Sequence, residues 1–282
     1  MVGRSVLLRV DKKPAEPKEV ALSVSNLTVT DSRGVQRVKD VSFDVRAGEI
    51  VGIAGVSGNG QSELLEALAG MRSVTAGTLQ IAGETIDLAK TPVNPAEMRQ
   101  KSMAHVPEDR HRAGLVNSFA EYENSILGYH NDPAYSKGLF LDIAGIKRLA
   151  EAEIEKYDIR PPNPLLKTAS FSGGNQQKIV LARALDQAAS VVVVYQPTRG
   201  LDVAAAEAVL TRLAHAADNG TCVVVISSNI EELIRVSDRI LVVNGGRVTG
   251  EVNGADMSLK AIGPLMTLGR QPHSRVLETA DA

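Results

Sequence analysis

The chain has 282 residues, 44% of them hydrophobic and 3% aromatic, and a formal net charge of -2. That near-neutral balance, with no tryptophan, excludes a dedicated nucleic-acid binder, since both a basic footprint and a base-stacking surface are missing. No apolar run approaches the roughly 20 residues that cross a membrane, the first residues have no signal-peptide pattern, and one cysteine cannot form an internal disulfide. That cysteine, Cys222, lies in the apolar run TCVVVIS and reads as a buried thiol, which fits a reducing cytoplasm.

Residues 1–19 hold Arg4 and then DKKPAEPKE, whose prolines and charges give an extended, solvated segment. Such a segment is either a linker from an upstream domain or an N-terminal tail. From residue 20, VALSVSNLTVTD alternates, DSRG reads as a turn, and VQRVKDVSFDVRAGEIVGIAG continues towards a glycine-rich loop. Short strands joined by Gly and Asp turns predict an antiparallel sheet feeding a central buried strand.

The loop GVSGNGQS, residues 55–62, follows that strand and opens a helix. It fits the phosphate-binding pattern G-x-x-x-x-G-K-[ST] at every fixed position but one. Gly55, Gly58 and Gly60 let the backbone curl round an anion, with Ser57 and Asn59 between them. A helix beginning near Gln61 adds the positive end of its dipole. Ser62 stands where a hydroxyl ligates magnesium, but Gln61 replaces the lysine that reaches the outer phosphates. By itself the stretch is either a weakened phosphate cradle or an unliganded glycine turn of a doubly wound fold.

Further on, GTLQIAGETIDL predicts a hairpin around Ala82 and Gly83, and NPAEMRQK a short helix capped by Asn94 with Pro95 in its first turn. MAHVPEDRHRAGL begins as a strand and becomes a charged loop. Residues 119–160 read as mostly helical, making residues 115–170 an inserted sub-domain. SFSGGNQQK places Ser172, Gly173 and Gly174 at a helix N-terminus, ahead of the buried strand at residues 191–194 and the loop QPTRGLD. A helix at residues 204–217, the strand TCVVVIS, a helix from Ile230 and a strand pair turning at Asn244-Gly245-Gly246 complete an α/β pattern with a mainly parallel sheet. The end, from about residue 271, is polar and reads as a disordered tail. The five histidines show no metal-ligand spacing.

The order of phosphate loop, SGG-x-Q-Q and PTRGLD resembles that of ATP-binding-cassette (ABC) transporter ATPases, from about residue 20 to 252. With VPEDRHRAGL included, the chain is most similar to the C-terminal cassette of the tandem ATPases of ribose, simple-sugar and nucleoside importers. The resemblance implies an α/β P-loop NTPase fold, with a mainly parallel core sheet, an antiparallel β sub-domain and an inserted helical sub-domain. It also implies ATP and Mg2+ as cofactors, and as partners a sister N-terminal cassette and membrane permease subunits at the inner face of the plasma membrane. Residues 1–19 would then be the linker and residues 253–282 a C-terminal extension.

The family's catalytic positions depart from the pattern one after another. The lysine position is Gln61, the magnesium-holding aspartate is Tyr195, the water-polarising glutamate is Gln196, and the switch histidine falls at Ser228-Asn229. No aromatic stands near Thr30 to stack on adenine. Phosphoryl transfer is mostly positioning and charge stabilisation, and one lost electrostatic group typically costs about 2.7–4 kcal/mol, so the resemblance implies a hydrolysis-deficient site. The loop residues 55–62, the signature Ser172, Gly173, Gly174, Asn175, Gln176 and Gln177, and Asp202 remain as nucleotide-binding positions. In the family the signature completes the ATP site of the opposite cassette. Pro107, Glu108 and Asp109 are expected to face the membrane subunit.

Overall fold

A computed structural model describes residues 18–138 and 140–268. The proposed linker therefore lies outside the described residues but for Lys18 and Glu19, as does the end of the C-terminal extension.

The first two strands, β1 (Val20–Thr30) and β2 (Gln36–Arg46), pair antiparallel with each other. After β3 (Ile50–Ala54) and α1 (Gln61–Leu68), the chain forms the hairpin β4 (Ala76–Ile81) and β5 (Glu84–Asp87). These strands make a four-stranded sheet in the order β2-β1-β4-β5. Ala82 and Gly83 turn the hairpin with φ of 48° and 86°. Next come α2 (Pro95–Gln100), with an Asn94–Glu97 capping box, and β6 (Met103–Val106).

The inserted sub-domain is less helical than its sequence suggested. It contains α3 (Glu121–Ser125), a two-stranded hairpin of β7 (Ser136–Lys137) and β8 (Phe140–Leu141), and α4 (Ile143–Tyr157). Gly128 at φ 88° and Pro133 between α3 and the hairpin account for the difference, because neither suits a helix interior.

From α5 (Gly173–Asp186) the chain alternates between strand and helix: β9 (Val191–Tyr195), α6 (Val203–Asp218), β10 (Cys222–Ser227), α7 (Ile230–Val236) and β11 (Arg239–Asn244). It closes with β12 (Arg247–Asn253) and α8 (Leu259–Leu268). The second sheet runs β12-β11-β3-β10-β9-β6, parallel except at β12. Strands β3, β9 and β10 are buried throughout, as their β-branched runs require between two covered faces. One apolar cluster joins the lower strand faces to α5, α6 and α7, and the other joins the upper faces to α1 and the antiparallel sheet. Ile262 and Met266 of α8 are buried in the first cluster, so the packed domain extends past residue 252. Because β3, β6, β9, β10 and β11 run the same way, their following loops gather at one edge of the sheet, where ligands bind in open α/β folds.

Candidate functional site

The loop after β3 is shaped by backbone that only glycine adopts without strain. Gly58 and Gly60 have φ of 88° and 101°. A side chain at Gly60 would also meet the Arg37 carbonyl oxygen at 2.3 Å. Gly60 precedes α1 without a side-chain cap, which leaves the first amides of that helix open to an anion. Asn59 is turned the other way. Its side-chain oxygen accepts from the Gly245 amide at 3.0 Å and its carbonyl from the Gly246 amide at 3.1 Å. Asn59 therefore tethers the loop to the β11–β12 turn.

Gln61 is buried, with its Nε2 packed so close to Gly55 that a Cβ there would lie 2.3 Å from it. Its Oε1 is buried without a hydrogen-bond partner. An uncharged amide with an unpaired acceptor thus occupies the place of an ammonium, and that acceptor has no attraction for phosphate oxygens.

Ser62 stands where the sequence leads one to expect a magnesium ligand. Its hydroxyl is hydrogen-bonded to the Glu108 carboxylate and lies 3.4 Å from the Tyr195 hydroxyl. Glu108 comes from the loop after β6 and meets Ser62 at this corner. A hydroxyl and a carboxylate side by side next to a phosphate cradle are hard oxygen donors of the kind magnesium takes. Tyr195, almost fully buried at the end of β9, contributes a phenol where a carboxylate would bind metal. Burial raises its pKa, so it stays neutral. The loop and the Ser62–Glu108 corner fit a magnesium nucleotide in part: the cradle and two oxygen donors are present, while the lysine and the aspartate are not.

The positions expected to polarise water, Gln196 and Ser228, face each other without acid or base. Gln196 donates from Nε2 to the Ser228 Oγ at 3.3 Å, across the ends of β9 and β10. Gln196 holds φ of 43°, a left-handed conformation costly for a non-glycine residue, and its amide is tied to the Ile226 carbonyl at 2.7 Å. Neither side chain can take a proton from water at neutral pH.

The signature lies apart from this corner. Exposed Ser172 caps α5, accepting from the Asn175 amide at 3.4 Å and from Asn175 Nδ2 at 2.9 Å. Gly174 passes close to the loop after β9, where a Cβ would sit 3.3 Å from the Gly200 carbonyl oxygen. Asp202 in that loop caps α6, accepting from Ala205 at 2.8 Å. Among the described residues no hydrogen bond joins residues 172–177 to residues 55–62. Gln176 and Gln177 are buried, and Gln176 donates to the Thr168 carbonyl at 3.1 Å. Gln176 is thus held on the inner face of α5, and its Oε1 accepts from Arg110 Nε at 3.5 Å. Arg110, within VPEDRHRAGL but not among the expected site residues, lays its guanidinium beside Gly173, 2.7 Å from where a Cβ would stand.

The comparisons agree with this architecture. A family model described as ABC transporter matches residues 38–199. The nucleoside import ATP-binding protein NupA of Lactococcus lactis subsp. cremoris is 42% identical over 269 residues, covering 95% of this chain and 52% of that protein. The guanosine import ATP-binding protein NupO of Bacillus subtilis is 39% identical, covering 94% and 51%. The ribose import ATP-binding protein RbsA of Lactococcus lactis subsp. cremoris is 33% identical, covering 96% and 52%. The chain thus spans about half the length of the curated relatives it matches. The dimeric structure of a post-hydrolysis state of the cassette MJ0796, bound to ADP and Pi, superposes with a TM-score of 0.70 at 23% identity, covering 82% of this chain and 98% of that one. At that identity the likeness shows the fold.

Proposed function

The chain belongs to the ABC transporter ATPase family, and from that premise we propose that it is the signature-donating nucleotide-binding domain of a sugar or nucleoside importer. The observation that carries this reading is the contrast between its two nucleotide-facing edges. At residues 55–62 the cradle holds Gln61 in place of an ammonium, and its metal corner is shared by Ser62, Glu108 and Tyr195. At the start of α5, Ser172 is exposed on an intact helix cap.

Domains of this fold pair so that one loop and the other's signature close on one nucleotide. In such a pair Ser172 and the amides of Gly173 and Gly174 would reach the terminal phosphate held by a sister cassette. Hydrolysis would take place there, with the base supplied by the sister. At its own loop the chain would bind ATP weakly. Ser62 and Glu108 would hold a magnesium ion, whose charge serves to bridge and neutralise the phosphates. No group at 195, 196 or 228 then activates water, so the nucleotide persists uncleaved. Closure of the pair would act on permease subunits through residues 115–170, which places the domain on the cytoplasmic side of the membrane. Its relatives named for nucleoside, guanosine and ribose import support that solute class.

The test is ATP affinity and turnover of the chain with magnesium, beside the triple variant Gln61→Lys, Tyr195→Asp, Gln196→Glu. The expected outcome is weak binding without turnover in the parent, and at least tenfold tighter binding in the variant, since a charged hydrogen bond contributes about 1.5–3 kcal/mol. Robust turnover by the parent would overturn the reading.

A further inference from the structure

From the first turn of α1, the Gln61 side chain folds back to the first residue of the loop. A Cβ on Gly55 would lie 2.3 Å from its Nε2 and 3.0 Å from its Cδ. The Val243 carbonyl oxygen, near the end of β11, is 2.7 Å from the same point. Glycine at 55 thus leaves the space in which the amide is seated. Gln61 is 3% exposed, and its Oε1 is buried without a hydrogen-bond partner. An amide oxygen has two lone pairs and only accepts, so a buried one without a donor is costly.

A nucleotide on this loop would bring more acceptors and more negative charge to the same place. The uncapped amides at the start of α1 answer part of that charge. Arg37, whose carbonyl oxygen abuts Gly60, is already committed: its guanidinium lies 2.8 Å from the Asp31 carboxylate. Glu108 adds an acid, and Ser62 and Tyr195 are neutral. Gln61 Oε1 and the phosphate oxygens would then face each other as acceptors, which repel unless a donor or a cation lies between them. Magnesium takes charged and hydroxyl oxygens such as those of Glu108 and Ser62, whereas neutral carbonyl oxygens suit a monovalent ion.

We propose that a monovalent cation of potassium's size takes the place of the ammonium at this loop, held between Gln61 Oε1 and the outer phosphate oxygens of the nucleotide. The proposal rests on the reading of residues 55–62 as a nucleotide site. A potassium ion carries the charge of the lysine it replaces and gathers oxygen ligands from several groups at once, as carbonyl cages do. Bound there, it attracts the phosphates and satisfies the buried Oε1. Nucleotide and cation therefore bind together, each strengthening the other by the same factor. Affinity for ATP at this loop is set by the monovalent salt as well as by magnesium.

The experiment is equilibrium dialysis of ATP with magnesium against the full chain, in potassium chloride and in choline chloride of equal ionic strength. Binding about tenfold tighter in potassium is expected, as for a charge-assisted contact. Gln61→Lys, which brings its own ammonium, should bind equally in both salts. Gln61→Met, which keeps the length without the oxygen, should bind weakly in both. Thallium(I), a potassium stand-in visible by NMR, should give a bound signal with ATP in the parent and none in Gln61→Lys. Equal affinity of the parent in the two salts, a potassium effect that survives in Gln61→Lys, or no ATP binding in either salt would overturn the proposal. Failure of the importer reading is instead robust turnover by the parent, so the one is read from affinity and the other from hydrolysis.

Discussion

Gly58 and Gly60 both need positive φ, yet a methyl group at each would meet different surroundings. At Gly58 nothing lies within 4 Å of a Cβ, whereas at Gly60 the Arg37 carbonyl oxygen is 2.3 Å away. Gly58→Ala should therefore lose only the backbone preference, about 1 kcal/mol. Gly60→Ala should lose that and also displace the β2 backbone, for a total of about 2–4 kcal/mol. Urea midpoints of the two variants measure the difference, and equal losses would mean that β2 yields freely. The same resolution separates Asn59 from its neighbours. The loop pattern makes every residue of 55–62 a ligand candidate, but which way Asn59 points depends on a turn 186 residues later in the chain.

Within the inserted sub-domain, α3, α4 and α5 enclose Glu121 and Glu153, both almost fully buried. Glu121 accepts from the Ser125 hydroxyl at 3.0 Å, while its other oxygen and both of those of Glu153 are without partners. Burial, helped by the charge of Glu153, raises the pKa of Glu121 from 4.5 to about 8, and burial, helped by the charge of Asp186, raises that of Glu153 to about 7. Folded-state values above the unfolded ones mean that the native state holds these protons longer. The stability they confer is complete below pH 4.5 and is lost as pH rises through about 7 to 8. His105 acts in the opposite sense: its value lowered to about 4 removes stability as pH falls below 6.5. Stability should therefore decline from pH 6.5 to 8.5, where only the acids contribute among these groups. Glu121→Gln with Glu153→Gln should flatten that decline, as followed by urea midpoints across the range. A slope unchanged in the double variant would show that the acids carry no excess protons.

At the scale of the whole molecule, the proposed function assigns residues 55–62 and Ser172 to different nucleotide sites, and that is where Ser172 can be tested. Ser172→Asp keeps a side chain that caps α5 but sets a negative charge where a phosphate would approach. In the assembled importer it should cut ATP turnover at least tenfold, while ATP affinity at residues 55–62 of this chain stays within about twofold. Turnover measured with the permease and a sister cassette, beside the melting temperature of the variant, decides the matter. Undiminished turnover would remove Ser172 from the phosphate's surroundings. Much of the fold was legible beforehand, because runs such as VVVVY and CVVVIS can only be strands covered on both faces, and Asn94-Pro95 and Asn244-Gly245-Gly246 carry their cap and turn chemistry locally. The identities of Gln61, Tyr195, Gln196 and Ser228 are read from the sequence itself, since each has a set distance from a local motif. Residues 119–160 were misread as mostly helical because their apolar spacing outweighed Gly128 and Pro133 in a short window. By itself the sequence determined most element types outside residues 119–160, the loop and the missing charges, all of which depend on neighbours along the chain. Only the tertiary structure decided that Glu108 meets Ser62, that Gln176 turns inward and that Gln61 Oε1 is left without a donor. Those outcomes depend on which side chains the strand order β11-β3-β10-β9-β6 brings together, and chain spacing does not encode that order.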